Sequence, residues 1–428
     1  MKTTPFVGPK GDERPSCETP RVLERLRRVF KAFSYRDYRL LWGGAFTSSV
    51  GTWMQTVAQN WLVLTLTGSA FYLGLSAFLA EAPFLAFSLF GGVLADRFDR
   101  RRILLASQIV QLSSAFLLAG LVALGVVRVW EILVLSFVVG LAQSFGGPAY
   151  QALVPTLVDR EDLPNAVALN SIQFNLARVV GPVLGGWAFY ALGAAACFAL
   201  NGLSFLAVIA ALLALRRGAH AVPAEEGSVL DSLKAGVAAV RASGPIRGLV
   251  GLSFLSSFCA LPLVTFLPLF AKDIFGGDVK GYSELLAAFG LGAVVGALTV
   301  AGFSGLKRRG LVGVSMLTVF GVLMIGFAFS RRLPLSLAIL FLAGASMVSV
   351  FATFMTLVQT HVEEGMRGRV VSVYSLAFRG AMPLGNLTAG ALATVLTAPW
   401  VLVGNGVALI LVGGWVLVRR GPSGVKTL

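Results

Sequence analysis

Apolar residues along this chain do not recur at the 3.6-residue spacing of a half-buried soluble helix. They come in runs of about 20, each long enough to cross a hydrocarbon core of about 30 Å as a helix. Glycines, prolines and charges punctuate the runs. The pattern predicts twelve spans, at about 38–66, 70–94, 103–125, 129–151, 166–191, 195–215, 246–271, 281–304, 311–330, 334–357, 368–394 and 398–418. The longest internal polar gap, 216–245, divides them six and six. The expected fold is therefore an all-α membrane protein: a tail over 1–37, a six-helix bundle over 38–215, a central loop over 216–245, a second six-helix bundle over 246–418, and a tail over 419–428.

Composition agrees with the pattern. Of 428 residues, 56% are hydrophobic and only 13% charged, where soluble domains carry about 25% charged residues. The net charge of +15 would suggest nucleic acid in a soluble protein. Here its distribution points to topology instead. With both termini in the cytoplasm, the outer loops hold only Arg128, Lys272, Lys280, Arg331 and Arg332 of the 35 lysines and arginines. Arg178 and Arg379 fall inside spans, and the rest lie on the cytoplasmic side, as the positive-inside rule requires. Residues 1–20 lack the apolar core of a signal peptide. The following "RVLERLRRVFKAF" reads as an amphipathic helix on an anionic membrane surface, or as a plain basic tail.

The halves resemble each other. A shift of 204 residues superposes Gly92 on Gly296, Asp159 on Glu363, Ser171 on Ser375, Gly181 on Gly385 and Gly186 on Gly390. A shift of 208 superposes Arg39, Gly43, Phe46, Ser48 and Ser49 on Arg247, Gly251, Phe254, Ser256 and Ser257. An internal duplication of six spans follows.

Two motifs carry chemistry. "GGVLADRFDRRR", 91–102, packs charge into the loop after span two: Gly92, Asp96, Arg97, Arg100, Arg101 and Arg102. Basic residues alone would serve as a topological anchor, but an anchor has no use for acids. "ARVVGPVLGG", 177–186, sets Gly181, Pro182, Gly185 and Gly186 on span five, where small residues allow close helix approach and proline frees a carbonyl. With "FSYRDYRLLWGGAFTSSVGTWMQ" at 33–55 and "GPAYQALVPTLVDREDLPNAVALN" at 147–170, these stretches resemble the major facilitator superfamily, and within it the branch of siderophore, macrolide and multidrug efflux proteins. Asp99 departs from the pattern, standing where that loop usually has glycine.

The resemblance implies alternating access between two bundles about a site near the midplane. It makes the 91–102 cluster a conformational latch and the span-five motif an antiporter-type element. It implies an exporter of a small amphipathic organic compound, in exchange for protons, in the inner (plasma) membrane. A lipid or lysolipid transporter of the same fold is the alternative. A monomer is expected, with the substrate, protons and the bilayer as its partners.

Charged residues within spans are expensive and point to function. Glu81 lies deep in span two, Arg178 in span five and Arg379 in span eleven. Charge is costly there, so the protonated form of a carboxyl becomes competitive, and Glu81 is the candidate proton carrier. A structural ion pair with Arg379 or Arg178 is the other reading. Superfamily geometry favours Arg379, which leaves Arg178 for an anionic substrate. Candidate substrate contacts are Ser48, Thr52, Gln55, Gln59, Gln143, Gln173, Asn175 and Phe258; bonds between helices would explain about half of the polar ones. Trp53 could stack on a substrate, and Trp61 reads as an interfacial anchor. Pro262 and Pro268 predict a broken or bent span seven. No phosphate-binding loop, nucleophile–base set, cysteine framework or histidine cluster is present. The sequence therefore predicts no enzyme activity, cofactor, metal or nucleic-acid partner.

Overall fold

The computed structural model describes residues 30–216, 229–302 and 309–424. Side chains at 88–97, 229–230, 232, 301 and 419–424 are outside that description, as is the expected amphipathic helix at 21–33 except for its last residues. Those form a 3₁₀ turn, Lys31–Ser34.

Every long element among the described residues is a helix: α1 (Arg36–Thr67), α2 (Ala70–Arg97), α3 (Arg100–Ala123), α4 (Val129–Leu153), α5 (Leu163–Ala214), α6 (Val229–Ala242), α7 (Gly244–Leu269), α8 (Val279–Gly302), α9 (Arg309–Phe329), α10 (Leu333–His361), α11 (Arg367–Leu396) and α12 (Ala398–Gly424). Among the described residues, nine helical segments are long and apolar enough to cross a membrane. The 52-residue α5 is one of these segments, yet Gly193 breaks it into limbs 163–192 and 194–214. There φ is 83° and ψ is 173°, a backbone only glycine adopts cheaply. Helices α1 and α11 fall outside the nine; α1 is rich in Ser, Thr, Gln and Asn, and α11 carries Arg367, Arg369 and Arg379.

Local signals end the helices. Gly68, at φ 59°, caps α1 by donating its N–H to the Leu64 carbonyl. The Asp99 carboxylate accepts from the Arg101 N–H at 2.9 Å and caps α3. Asp99 has φ −60°, so the turn there needs no glycine. Glu131 accepts from the Arg128 N–H at 2.9 Å to start α4.

The turns divide the molecule into two faces. A basic face carries Arg36, Arg39, Arg100–Arg102, Arg160, Arg216, Arg241, Arg247, Arg309, Arg367 and Arg369. A far face carries the turns at Gly68, Gly125, Gly193, Gly276 and Thr397. Trp130, Trp187, Tyr190 and Trp400 are exposed near the far face, as aromatic residues at a membrane interface are. Trp61 does not join them: it packs against the core of the second half, so the anchor expected there is a packing residue.

The helices over 36–214 pack together, as do those over 244–424. The second half has one continuous core, built on Phe266, Phe270, Phe289, Phe320, Phe327 and Phe354. The first half has two. Tyr38, Leu104, Leu153 and Leu212 fill the one near the basic face, and Leu64, Leu73, Ile132 and Phe198 the one near the far face. A layer of hydrogen-bonded Gln, Ser and Asn separates them.

Candidate functional site

Two seams join the halves: α2 against α11, and the first limb of α5 against α8. Both are built on small residues. Gly74 meets the Asn386 carbonyl and Gly390, and Gly380 meets Leu85. Gly186 meets Ser283, and Gly290 meets the Arg178 carbonyl. Near the far face Asn60 donates to the Tyr282 hydroxyl at 3.1 Å, from one half to the other. Val57 and Ala70 enter the core of the second half. The halves thus close on the far face, while α4 and α10 share no packing seam on the basic side.

Glu81 and Arg379 face each other across the first seam. The Arg379 Nη2 lies 3.8 Å from the Glu81 Oε2, an ion pair longer than a hydrogen bond. The guanidinium carbon sits 3.6 Å above the Phe84 ring, so an aromatic face and a carboxylate share the charge. Both side chains remain partly open, at 32% for Glu81 and 43% for Arg379. The pair spans the halves and is not fully enclosed by protein.

Arg178 lies on the second seam and pairs with no carboxylate among the described residues. Its guanidinium lies 5.7 Å from the Trp53 ring of α1 and 5.5 Å from the Phe289 ring of α8. Phe174, one turn nearer the basic face, sets its ring edge-on to Trp53 at 6.4 Å and is exposed.

The span-five motif divides its labour. Gly181 and Gly185 press on Trp53 and Met54 of α1, inside the first half, while Gly186 presses on the other half. The helix continues through Pro182 and breaks only at Gly193. Proline leaves the carbonyl four residues earlier without a donor. For Pro182 that is Arg178, and Gly290 covers it: a Cβ there would lie 3.3 Å from the oxygen. Pro262 frees the Phe258 carbonyl, and Gly385 lies against it. Pro83 frees the Leu79 carbonyl, which Gly140 approaches. Span seven, expected to be broken or bent, shows no break at Pro262. Helix α7 runs through Pro262 and ends in a single π turn, Phe270–Ile274, after Pro268.

The polar candidates separate into two groups. Gln59 donates to Ser136 Oγ at 2.9 Å and Ser76 Oγ at 3.3 Å, Gln55 accepts from Asn201 at 2.6 Å, and Gln173 donates to Ser49 Oγ at 2.8 Å. These amides tie helices together, and Ser48 is buried. Thr52 and Gln143 are exposed, and Asn175 and Phe258 half-buried. Gln143 also accepts from Gln111 at 3.4 Å, and Phe258 stacks on Phe254.

In the charged loop, Gly92, Asp96 and Arg97 lie outside the described side chains, and α2 runs helical to Arg97. Arg100 donates to the Ala152 carbonyl at 3.0 Å and Arg101 to the Leu213 carbonyl at 2.9 Å. Both bonds satisfy carbonyls at helix ends within the first half. Arg102 lies 3.7 Å from Asp99.

A second polar cluster on the basic face had no counterpart in the sequence reading. Lys31 pairs with Asp162 at 2.7 Å, and the Tyr35 hydroxyl donates to Asp162 at 2.8 Å and Asp159 at 2.9 Å. Asn165 accepts from the Ala32 N–H. These bonds fasten the start of α1 to the turn before α5. Only the acids of "DRED" hinted at it, because the partners are more than 120 residues away. The Lys31 and Tyr35 bonds hold the Asp162 carboxyl below its ordinary range, and the bond to Asp162, with burial and the bond to Asp159, pushes the Tyr35 phenol up to about 12. A lowered carboxyl stabilises above its unfolded value of about 3.9 and loses that effect only as pH falls through the folded value. A raised phenol stabilises below its unfolded value of about 10 and loses that effect as pH rises towards 12. The clasp is therefore expected to hold unchanged between about pH 5 and 9. Tyr35→Phe should lower the melting temperature by the same amount at pH 6 and pH 8; a difference between the two would contradict this assignment.

The Asn60–Tyr282 bond gives a further expected result. A bond of this kind is worth about 0.5–1.5 kcal/mol, so Tyr282→Phe should shift the balance toward far-face opening by about two- to tenfold. Accessibility of a cysteine at Ser283, buried against Gly186 on the closed seam, to a membrane-impermeant reagent would show it.

Residues 28–424 match the family described as transmembrane secretion effector. The enterobactin exporter EntS of Shigella boydii is 28% identical, over 84% of this chain and 86% of its own. The multidrug efflux pump Tap of Mycolicibacterium fortuitum is 27% identical, over 82% and 87%. A solved bacterial homologue of the human lysosomal transporter Spinster, in an inward-facing and occupied conformation, shares the fold at TM-score 0.72 and 15% identity, over 90% of this chain and 97% of its own. The protein is not an enzyme but a multi-pass transporter of the plasma membrane, and it belongs to the transmembrane secretion effector family of the major facilitator superfamily.

Proposed function

We propose that the chain is a secondary active exporter that moves a small amphipathic organic compound, drug-like or siderophore-like, out of the cytoplasm in exchange for protons. It crosses the membrane twelve times: α1 and α11 join the nine strongly apolar segments, and α5 counts as two. The basic face is cytoplasmic, both termini lie there, and the protein works as a monomer. The observation that carries the proposal is the Glu81–Arg379 pair, one member from each half, long enough to part and open enough to exchange a proton. Protonation of Glu81 releases Arg379 to the Phe84 ring alone, which loosens the seam between α2 and α11. The efflux relatives support the direction of transport.

The test is transport in proteoliposomes under an imposed pH gradient, with a panel of amphipathic compounds and a fluorescent phospholipid. Gradient-dependent movement of a soluble amphiphile supports the proposal. Lipid movement alone would favour the lipid transporter, and movement insensitive to the gradient would remove the proton.

A further inference from the structure

We infer that Arg178 is the recognition point for an organic anion. The transported molecule carries an acidic group that pairs with this guanidinium, and an aromatic or other flat part that lies against Trp53 and Phe174. The inference rests on the exporter reading and narrows its substrate class.

The first ground is electrostatic. Lys31, Arg36, Arg102, Lys234 and Arg379 each have a carboxylate within ion-pair distance. Arg178, deeper in the molecule than the first four, has none among the described residues. A lone charge at membrane depth costs several kcal/mol unless something compensates it. Glu81, the one acid deep in a span, faces Arg379. The compensating anion is therefore not built into the described protein.

The second ground is geometric. Trp53 and Phe289 engage the guanidinium through their ring faces. Ring faces attract the charge but leave the N–H donors in the guanidinium plane unused. No hydrogen bond from the Arg178 side chain to the described protein competes for them. A planar fork of donors is the arrangement that grips a carboxylate, sulfonate or catecholate oxygen pair.

The third ground is access. Arg178 is half-buried, and Phe174 one turn nearer the basic face is 53% exposed. Thr52, one residue before Trp53, is exposed as well. An anion entering between the halves from the basic face would pass the Phe174 ring before reaching the guanidinium. Because Trp53 and Phe289 come from different halves, a ligand drawing Arg178 away from either ring acts on the seam that must open.

The experiment uses the full chain in nanodiscs and a size-matched pair of radiolabelled probes, 1-naphthoate and 1-naphthylmethylammonium. Wild type is expected to bind naphthoate and to prefer it over the cation. Arg178→Gln should weaken naphthoate binding about tenfold or more, with the cation unaffected, and Arg178→Lys should recover part of the loss. Trp53→Phe should weaken both probes less than Arg178→Gln weakens naphthoate. Absence of naphthoate binding to wild type, preference for the cation, or equal naphthoate binding by wild type and Arg178→Gln would each overturn the inference. If Arg178→Gln does not fold, the wild-type preference and the Arg178→Lys loss decide. Gradient-driven export of other compounds by a chain that ignores naphthoate would sink this inference and spare the exporter. Naphthoate binding without gradient-driven transport would do the reverse.

Discussion

Glu81→Gln is expected to abolish pH-driven transport, by at least about tenfold, while substrate binding and the melting temperature stay near wild type. Glutamine matches the protonated carboxyl in size and cannot deliver a proton. The usual objection to such a test is that neutralising one member of a buried pair strands the other charge, at a cost of about 3–5 kcal/mol. Here the geometry weakens that objection. Arg379 rests on Phe84 at 3.6 Å and is 43% exposed, so it keeps a partner and is not sealed inside protein. A structural Glu81 predicts loss of folded protein, and a proton carrier predicts folded protein that binds and exchanges but does not concentrate. Wild-type gradient-driven flux in the mutant would eliminate Glu81 as the carrier. Arg379→Gln adds a second reading: if the pair gates the seam, this variant should leak substrate down its gradient without proton control.

The second large effect is expected at the span-five motif, where neighbouring glycines should fail in different ways. A Cβ on Gly186 would lie 2.6 Å from the Ser283 Cβ on the opposite half. Gly186→Leu should therefore push α5 from α8 and hold the far face open, stopping transport in a folded protein. A Cβ on Gly185 would lie 2.9 Å from the Met54 Cα of α1, within its own half. Gly185→Leu should instead cost about 1–3 kcal/mol of stability, the usual penalty of overpacking. Spin-label distances between cysteines at Leu192 and Lys280, with melting curves, separate the two. Buried Cys197 and Cys259 will not take the label, and Cys17→Ser removes the remaining thiol. A lengthened distance in Gly185→Leu with unchanged stability would contradict the division.

How far the sequence disclosed this arrangement depended on the range of each signal. Apolar runs and loop charges are local, and they outlined nearly every helix. The glycine break at Gly193 is local too, and it falls in the gap between the spans expected at 166–191 and 195–215. Glu81 and Arg379 stood out because charge is rare at that depth, and the resemblance to a known fold supplied their pairing. Gln55, Gln59 and Gln173 were legible as polar but not as structural. Their partners Asn201, Ser136 and Ser49 come from other helices, and nothing in the spacing along α1 separates a side chain facing a pathway from one facing a neighbour. The 31–165 clasp was missed for the same reason: it joins two loops that only the folded chain brings together.

The cover that Gly290 gives to the carbonyl bared by Pro182 has a consequence for the drift of this sequence over generations. The two positions make one unit of inheritance. A methyl on Gly290 alone crowds an oxygen with no helical donor of its own, and such an oxygen is expensive away from water. Once alanine replaces Pro182, an N–H returns to that oxygen and the glycine loses part of its purpose. The substitutions should be tolerated in one order and penalised in the other, and Gly290→Ala should cost less on a Pro182→Ala background than alone. A double-mutant cycle in melting temperature measures this debt between neighbours; additive costs would show that the two residues evolve as strangers.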